Sequence, residues 1–85
     1  MTREMIFQVV KAKVLEVLVD VSPDAVVPGV SLLELGANSV DRVEISMAVL
    51  EQLDLRIPRV ELHGVSNLQG LVDVLHRHLG GGESP

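Results

Sequence analysis

The sequence predicts an all-α fold with three main helices, one short third helix and a long loop between helices 1 and 2. Three segments place their apolar residues at helical spacing, and none keeps the strict alternation of a half-buried strand. Glycine and proline lie between these segments, where helices have to end. With 85 residues and no shift in composition before Gly80, there is room for one domain. We expect this domain at residues 1–79 and a flexible tail at residues 80–85.

The first helix is expected to begin after Thr2, a favourable capping residue, and to end at the Ser22-Pro23-Asp24 stretch. Residues 14–19 are rich in valine, which keeps a strand open as the alternative, but they do not alternate strictly. The expected buried face spans roughly 120° of a helical wheel. It consists of Ile6, Phe7, Val10, Val14, Val17, Leu18 and Val21.

Residues 22–38 then form a long connection, punctuated by Pro23, Pro28, Gly29 and Gly36. Loops longer than about 12 residues are uncommon in compact domains and usually have a function. We expect Gly36 to adopt a backbone conformation that residues with side chains avoid. The residues expected to anchor this loop on the helices are Leu32, Leu33 and Leu35.

The second helix is expected at about residues 39–53. Asn38 is a favourable N-cap, which would place Ser39 at the first helical position with its hydroxyl facing solvent. The alternative is that Ser39 itself caps the helix. Both arrangements bring the hydroxyl to unpaired backbone N–H groups and the positive end of the helix dipole, where anionic groups are stabilised.

This second helix has more apolar residues than one contact with the core requires. One stripe contains Val40, Val43, Met47 and Leu50, and the other contains Ile45, Val49 and Leu53. Polar residues lie to one side, namely Asp41, Glu44, Glu51 and Gln52. The surplus stripe is either a contact surface for a partner or a face covered by the long loop.

The rest of the chain predicts two further helices. Residues 54–58 read as extended, and Pro58 suits the first turn of a short helix at 59–63, which Gly64 closes. Ser66 and Gln69 have the spacing of a capping box that opens the last helix. The buried stripe of that helix is expected to contain Leu68, Leu71, Val72, Leu75 and Leu79.

The net charge of −5 is concentrated in the middle of the chain, where eight acidic residues between Asp20 and Glu61 face three arginines. This argues against nucleic acid as a partner and favours a partner with a basic patch. The simpler alternative is that these acids form a solvated surface that keeps the protein soluble and binds no partner. The chain has no cysteine and no apolar run of the ~18 residues that a membrane span needs, so we expect a cytoplasmic protein.

Residues for catalysis or metal binding are few. Ser39 is not part of a G-x-S-x-G motif, and the histidines available as a base are His63, His76 and His78. His76 and His78 are two residues apart on a helix and therefore point to different sides. We expect no catalytic residue, no enzymatic activity of its own and no metal site.

Residues 35–44, Leu-Gly-Ala-Asn-Ser-Val-Asp-Arg-Val-Glu, resemble the L-G-x-[DN]-S-[LV]-x-x-V-E signature of acyl carrier proteins. The order of helices is similar to the four-helix carrier-protein bundle over residues 2–79. The resemblance implies that a phosphopantetheinyl transferase uses coenzyme A to attach 4′-phosphopantetheine to Ser39. It also implies that the arm carries an acyl group as a thioester to acyltransferase and ketosynthase-type enzymes, and that the protein is a monomer.

The resemblance further implies that partners dock on the second helix, with Ile45, Val49 and Leu53 facing the core. The implied docking residues are Val40, Asp41, Arg42, Val43, Glu44, Met47, Leu50 and Glu51. Three residues depart from the pattern of fatty-acid carriers. Asn38 replaces the usual aspartate, Leu50 replaces a residue that is commonly acidic, and Arg42 adds a positive charge.

The sequence of residues 36–42 is similar to that of free-standing carriers of bacterial polyketide pathways. More narrowly, it resembles carriers that hand an acetyl unit to an HMG-synthase-like enzyme during β-branching. The alternatives are a carrier of fatty-acid or aminoacyl substrates, an unmodified helical protein-binding module and a small hydrolase.

Overall fold

The computed structural model describes residues 1–63 and 65–81. The helices are α1 (Arg3–Val17), α2 (Ser39–Gln52), the short α3 (Arg59–His63) and α4 (Leu68–His76). A 3-10 turn at Pro23–Ala25 lies in the long loop, and a π-helical turn at Arg77–Gly81 follows α4. The two described ranges contain no strand. This confirms the all-α prediction, including the short third helix and the long loop.

Helix α1 packs against both α2 and α4, so that its buried face forms the middle of the core. Because the chain has a single aromatic residue, the core is aliphatic. Its buried members are Ile6, Val10, Val14, Val26, Ile45, Val49, Ile57, Leu68, Leu71, Val72 and Leu75. None of the helices within the described ranges is both long and apolar enough to cross a membrane.

The start of α1 agrees with the sequence, because the Thr2 hydroxyl accepts a hydrogen bond from the Met5 N–H at 3.1 Å. Its end does not: α1 stops at Val17, and Leu18 leaves the helical region with φ −101° and ψ 78°. Leu18 and Val21 nevertheless pack against the core, from a turn that the Val21 N–H closes onto the Leu18 carbonyl. Apolar periodicity alone could not distinguish this turn from a longer helix.

The long loop is seated on the bundle through its backbone as well as its side chains. The Leu68 N–H donates to the Val30 carbonyl at 2.9 Å, and the Gln69 N–H donates to the Pro28 carbonyl at 2.8 Å. The loop thereby takes up two amides at the start of α4 that have no partner within their own helix. Val26 is buried in the core.

The predicted leucine anchors of this loop are only partly right. Leu32 and Leu35 pack against the core, but Leu33 is exposed, which corrects the expectation that it would anchor the loop. Gly36 has φ +91°, as predicted. Leu33 before this glycine is exposed, and Ala37 directly after it is buried.

The start of α4 also corrects a prediction. Asn67, not Ser66, is the N-cap, and its side-chain oxygen accepts from the Gly70 N–H at 2.9 Å. Asparagine and serine are about equally good N-caps, so residue preference alone does not decide between these two neighbours. Leu79 lies in the π-helical turn and packs against the core. Gly64 and residues 82–85 of the predicted tail lie outside the described residues.

Candidate functional site

Ser39 is the first residue of α2, and Asn38 caps the helix. The Asn38 side-chain oxygen accepts from the Asp41 N–H at 2.8 Å. In return, the Asp41 carboxylate accepts from the Asn38 N–H at 3.2 Å. This reciprocal capping box fixes the first turn of the helix. It confirms the prediction that Asn38 rather than Ser39 is the cap.

The Ser39 side chain is exposed at this joint between loop and helix. No hydrogen bond within the described ranges uses its hydroxyl. On the loop side, the Ala37 N–H donates to the Leu32 carbonyl at 3.0 Å, and the Ala37 side chain is buried. Within these ranges the hydroxyl is therefore unbonded, while the backbone around it is fixed by the capping box on the helix side and by the Ala37–Leu32 hydrogen bond on the loop side.

Arg42 ties the loop to the first turn of α2. Its Nη1 donates to the Ala37 carbonyl at 3.2 Å, and its own backbone N–H bonds to the Asn38 carbonyl at 2.9 Å. The side chain is half-buried. The guanidinium thus lies beside the residues that precede Ser39.

An open groove with a volume of about 770 Å³ begins at Ser39 and follows α2. One wall is formed by α2 and the loop, the other by the segments around α3 and the start of α4. The lining residues are Ser31, Leu32, Leu33, Ser39, Arg42, Val43, Ser46, Met47, Leu50, Ile57, Leu62, Val65, Ser66, Asn67, Leu68 and Leu71. The groove is mainly apolar, with hydroxyl groups at several points along it.

The two faces of α2 have different environments. Ile45 and Val49 are 0% and 1% exposed, whereas Val40, Val43 and Met47 are 72%, 43% and 61% exposed. This confirms that Ile45 and Val49 face the core, and it rules out that the loop covers the surplus stripe. Leu53 also packs against the core. Leu50, which the wheel grouped with the surplus stripe, is half-buried, packs against the core and lines the groove.

The acidic residues of α2 differ in what they contact. Asp41 is half-buried and occupied in the capping box, whereas Glu44 and Glu51 are exposed. Among the side chains that the structure describes, ion pairs join Arg3 to Asp73, Lys13 to Glu16 and His78 to Glu61. None of these pairs uses the negative charge of Glu44 or Glu51.

The described histidine contacts do not involve Ser39. His78 Nε2 lies 2.6 Å from a carboxylate oxygen of Glu61, which joins the π-helical turn to α3. Within the described ranges there is no group of three or more His, Asp or Glu residues that could hold a metal ion.

Residues 8–75 match the family described as the phosphopantetheine attachment site, PP-binding. The chain belongs to the acyl carrier protein family. This carrier protein is similar to the polyketide biosynthesis acyl-carrier-protein AcpK of Bacillus subtilis (strain 168), with 46% identity over 76 residues. The similarity covers 89% of this chain and 93% of the relative. No solved structure matches the chain.

Members of this family carry 4′-phosphopantetheine as a covalent cofactor, and the start of α2 in this carrier protein fits that group. A serine hydroxyl is exposed and free of hydrogen bonds to the described residues. It stands at a helix N-terminus, which stabilises an added anion, and it borders a groove with room for a flexible chain.

Several polar residues of the groove were missed in the sequence. Ser46 follows Ser39 at a spacing of seven, so helical periodicity could have placed it on one face with Ser39 and with Arg42, which the sequence had assigned to the docking residues. Ser31 and Asn67 could not have been found that way. They reach the groove only because the loop packs onto the start of α4.

Proposed function

We propose that Ser39 is the attachment site of 4′-phosphopantetheine in this carrier protein. The observation that carries the proposal is an exposed serine hydroxyl, free of hydrogen bonds to the described residues, at the first position of a capped helix. A phosphopantetheinyl transferase would use coenzyme A as the donor, and the serine oxygen would displace its nucleotide portion. When attached, the arm supplies a terminal thiol on which an acyl group is carried as a thioester.

The residues around Ser39 each contribute to this role. Asn38 and Asp41 fix the first turn of α2, so that the hydroxyl keeps one position relative to the helix. The free amides of that turn stabilise the negative charge of a phosphodiester. The chain provides the attachment point and the recognition surface, while partner enzymes perform the chemistry on the acyl group.

We propose further that partners dock on an exposed face of α2 next to Ser39, here called the docking face. It consists of Val40, Val43, Glu44, Met47 and Glu51. Apolar side chains beside acids that take no part in the described ion pairs suit a partner whose surface is both apolar and basic. Asp41 and Leu50 border this face, but Asp41 has a capping role and Leu50 packs inward.

We assign the carrier to polyketide biosynthesis because of its similarity to AcpK. The finer proposal is that it donates an acetyl unit to an HMG-synthase-like enzyme during β-branching. This proposal rests on the amino-acid sequence of residues 36–42. Acyltransferase and ketosynthase-type enzymes would be further partners, and the protein would act as a cytoplasmic monomer. A carrier of fatty-acid or aminoacyl substrates is the second candidate, since those carriers share the same attachment chemistry.

The attachment site is tested by incubating the protein with coenzyme A, Mg²⁺ and a broad-specificity phosphopantetheinyl transferase. Intact mass spectrometry should show one added phosphopantetheine on the wild type and none on Ser39→Ala. Ser22→Ala is the matched control, because Ser22 is another exposed serine that precedes a helical turn but does not line the groove. It should be modified like the wild type. A modified Ser39→Ala, or an unmodified wild type, would refute the assignment.

The acetyl-donor role is tested separately by reconstitution with a purified HMG-synthase-like enzyme. The loaded carrier should support condensation with an acetyl group and much less with longer acyl groups. Equal turnover for all acyl groups would contradict the finer proposal and leave the attachment site unaffected.

A further inference from the structure

We infer that Arg42 binds the phosphodiester of the modified protein on the groove side of α2, an inference that rests on Ser39 being the attachment site. Arg42 then positions the arm and does not belong to the surface that partners read.

The direction of the Arg42 side chain is the first argument. Side chains three residues apart on a helix are neighbours, and helical side chains lean toward the N-terminus. The structure shows this lean, because Nη1 of Arg42 reaches the Ala37 carbonyl, two residues before Ser39 in the chain, at 3.2 Å. The guanidinium is therefore at the start of α2.

The second argument is the surface that Arg42 shares with Ser39. Both residues line the groove, and Arg42 is absent from the shallow depression over the docking face, which contains Ser39, Val40 and Glu44. Val43 and Met47 border both surfaces. An arginine on the docking face would also place a positive charge among the acids that favour a basic partner. Because Arg42 lies on the groove side, its charge does not reduce the negative charge of the docking face.

The third argument is the unused hydrogen-bonding capacity of Arg42. A guanidinium has five N–H donors in a planar fork that matches phosphate oxygens, and Ala37 occupies one nitrogen of that fork. The ion pairs found in the described part of the chain do not include Arg42. The neighbouring carboxylate of Asp41 accepts from the Asn38 N–H. The charge of Arg42 is thus free to pair with an anion attached three residues earlier.

The experiment compares the apo and phosphopantetheine-loaded forms of the wild type, Arg42→Gln and Arg42→Lys. Arg56→Gln is the matched control, since Arg56 is an exposed arginine outside the groove. Loading is verified by intact mass, and unfolding in urea is measured for each form. If Arg42 only tied the loop to α2 through Ala37, substitution would destabilise the apo and loaded forms equally.

We expect Arg42→Gln to destabilise the loaded form more than the apo form. The ratio of the loaded to the apo unfolding equilibrium constants should rise by about two- to fivefold relative to the wild type, as for an exposed ion pair. Arg42→Lys should restore part of this difference, and Arg56→Gln should match the wild type. In NMR spectra of the wild type, the Nε–H resonance of Arg42 should shift on loading while that of Arg56 does not.

Equal destabilisation of both forms, together with an unshifted Arg42 resonance, would overturn the inference. Failure of both Arg42 variants to be loaded under conditions that load the wild type would also overturn it, because Arg42 would then belong to the surface that the transferase reads. Failure to load the wild type would instead refute the proposed function.

Discussion

Asn38 gives Ser39 its position without using the Ser39 hydroxyl. At the start of a helix, a serine often serves as the N-cap, and its side-chain oxygen then accepts a hydrogen bond from a backbone N–H. Here the preceding asparagine accepts from the Asp41 N–H, and the Asp41 carboxylate accepts in return from Asn38. The reactive group and the structural group are separate residues, adjacent in the chain.

Substitution of the cap should therefore lower stability. We expect Asn38→Ala to reduce the free energy of unfolding by about 1 kcal/mol, because the Asp41 amide loses its partner. Asn38→Asp is the control: it keeps the side-chain acceptor and should stay within about 0.5 kcal/mol of the wild type. Urea unfolding followed by circular dichroism measures both. An unchanged Asn38→Ala would show that the box contributes little.

At this scale the sequence predicted the cap but not the contacts of Arg42. N-cap preference allowed Asn38 or Ser39 as the cap, because asparagine and serine are about equally good caps, and the reciprocal bonds between Asn38 and Asp41 decide for Asn38. The bond from Arg42 to the Ala37 carbonyl depends on how the loop turns at Gly36, and residue preferences contain no information on that path.

Helix α2 serves the core with one face and is exposed on another, and the two faces should respond differently to truncation. Ile45→Ala should cost about 2–5 kcal/mol, because it leaves a cavity in the core. Met47→Ala removes a side chain that is 61% exposed and should change stability by less than about 0.5 kcal/mol. Thermal and urea unfolding of both variants test this difference. Similar losses would mean that Met47 is covered in solution.

The loop before α2 allows the effect of one backbone conformation to be isolated. An added Cβ would meet no atom within 4 Å at either Gly36 or Gly29, but only Gly36 of these two has a positive φ, of +91°. Gly36→Ala should therefore cost about 1–2 kcal/mol through the backbone alone. Gly29→Ala should be neutral or stabilise by up to about 1 kcal/mol. Urea midpoints of the two variants measure the difference, and equal values would contradict the explanation.

The elements themselves were predictable, while two of their ends were not. Apolar periodicity places α1 correctly, but it continues through Leu18 and Val21, which pack on the core from a turn. The predicted start of α4 was displaced to Ser66 because the capping-box spacing looked complete there, whereas the structure has Asn67 as the cap. N-cap preference does not separate these two residues. In both cases the apolar pattern was right and the backbone conformation differed.

For the whole molecule, the uneven charge should control how fast partners associate. The central acids account for the negative net charge of the chain, which is −5. At physiological ionic strength the Debye length is about 8 Å, so the attraction between these acids and a basic partner is partly screened. Association with a basic partner should thus be faster at low salt. Glu44 is the suitable residue to probe, since charge reversal at Asp41 would also remove the capping box.

Glu44→Lys should lower the kcat/KM of transferase loading by up to about tenfold at low salt, with less effect as salt increases. Glu4→Lys is the matched control, because it changes the net charge equally from a residue outside the docking face and the groove. Initial loading rates from about 20 mM to 500 mM salt measure both. A loss of similar size in the control would assign the effect to net charge and not to the docking face.

The architecture as a whole followed from the spacing of apolar residues and of glycine and proline. The position of the long loop did not, because it depends on two backbone bonds, from Leu68 to Val30 and from Gln69 to Pro28, between segments about forty residues apart. Any residue can form such bonds, so no side-chain pattern indicates them.

Those two backbone bonds make the amides of Leu68 and Gln69 natural reporters of loop opening. Their hydrogens exchange with solvent only when the carbonyls of Val30 and Pro28 move away, which also separates two segments that border the groove. Their exchange rates therefore measure how often the groove widens, in the unaltered protein and without a bound probe. A cargo seated in the groove would slow the exchange of both amides together.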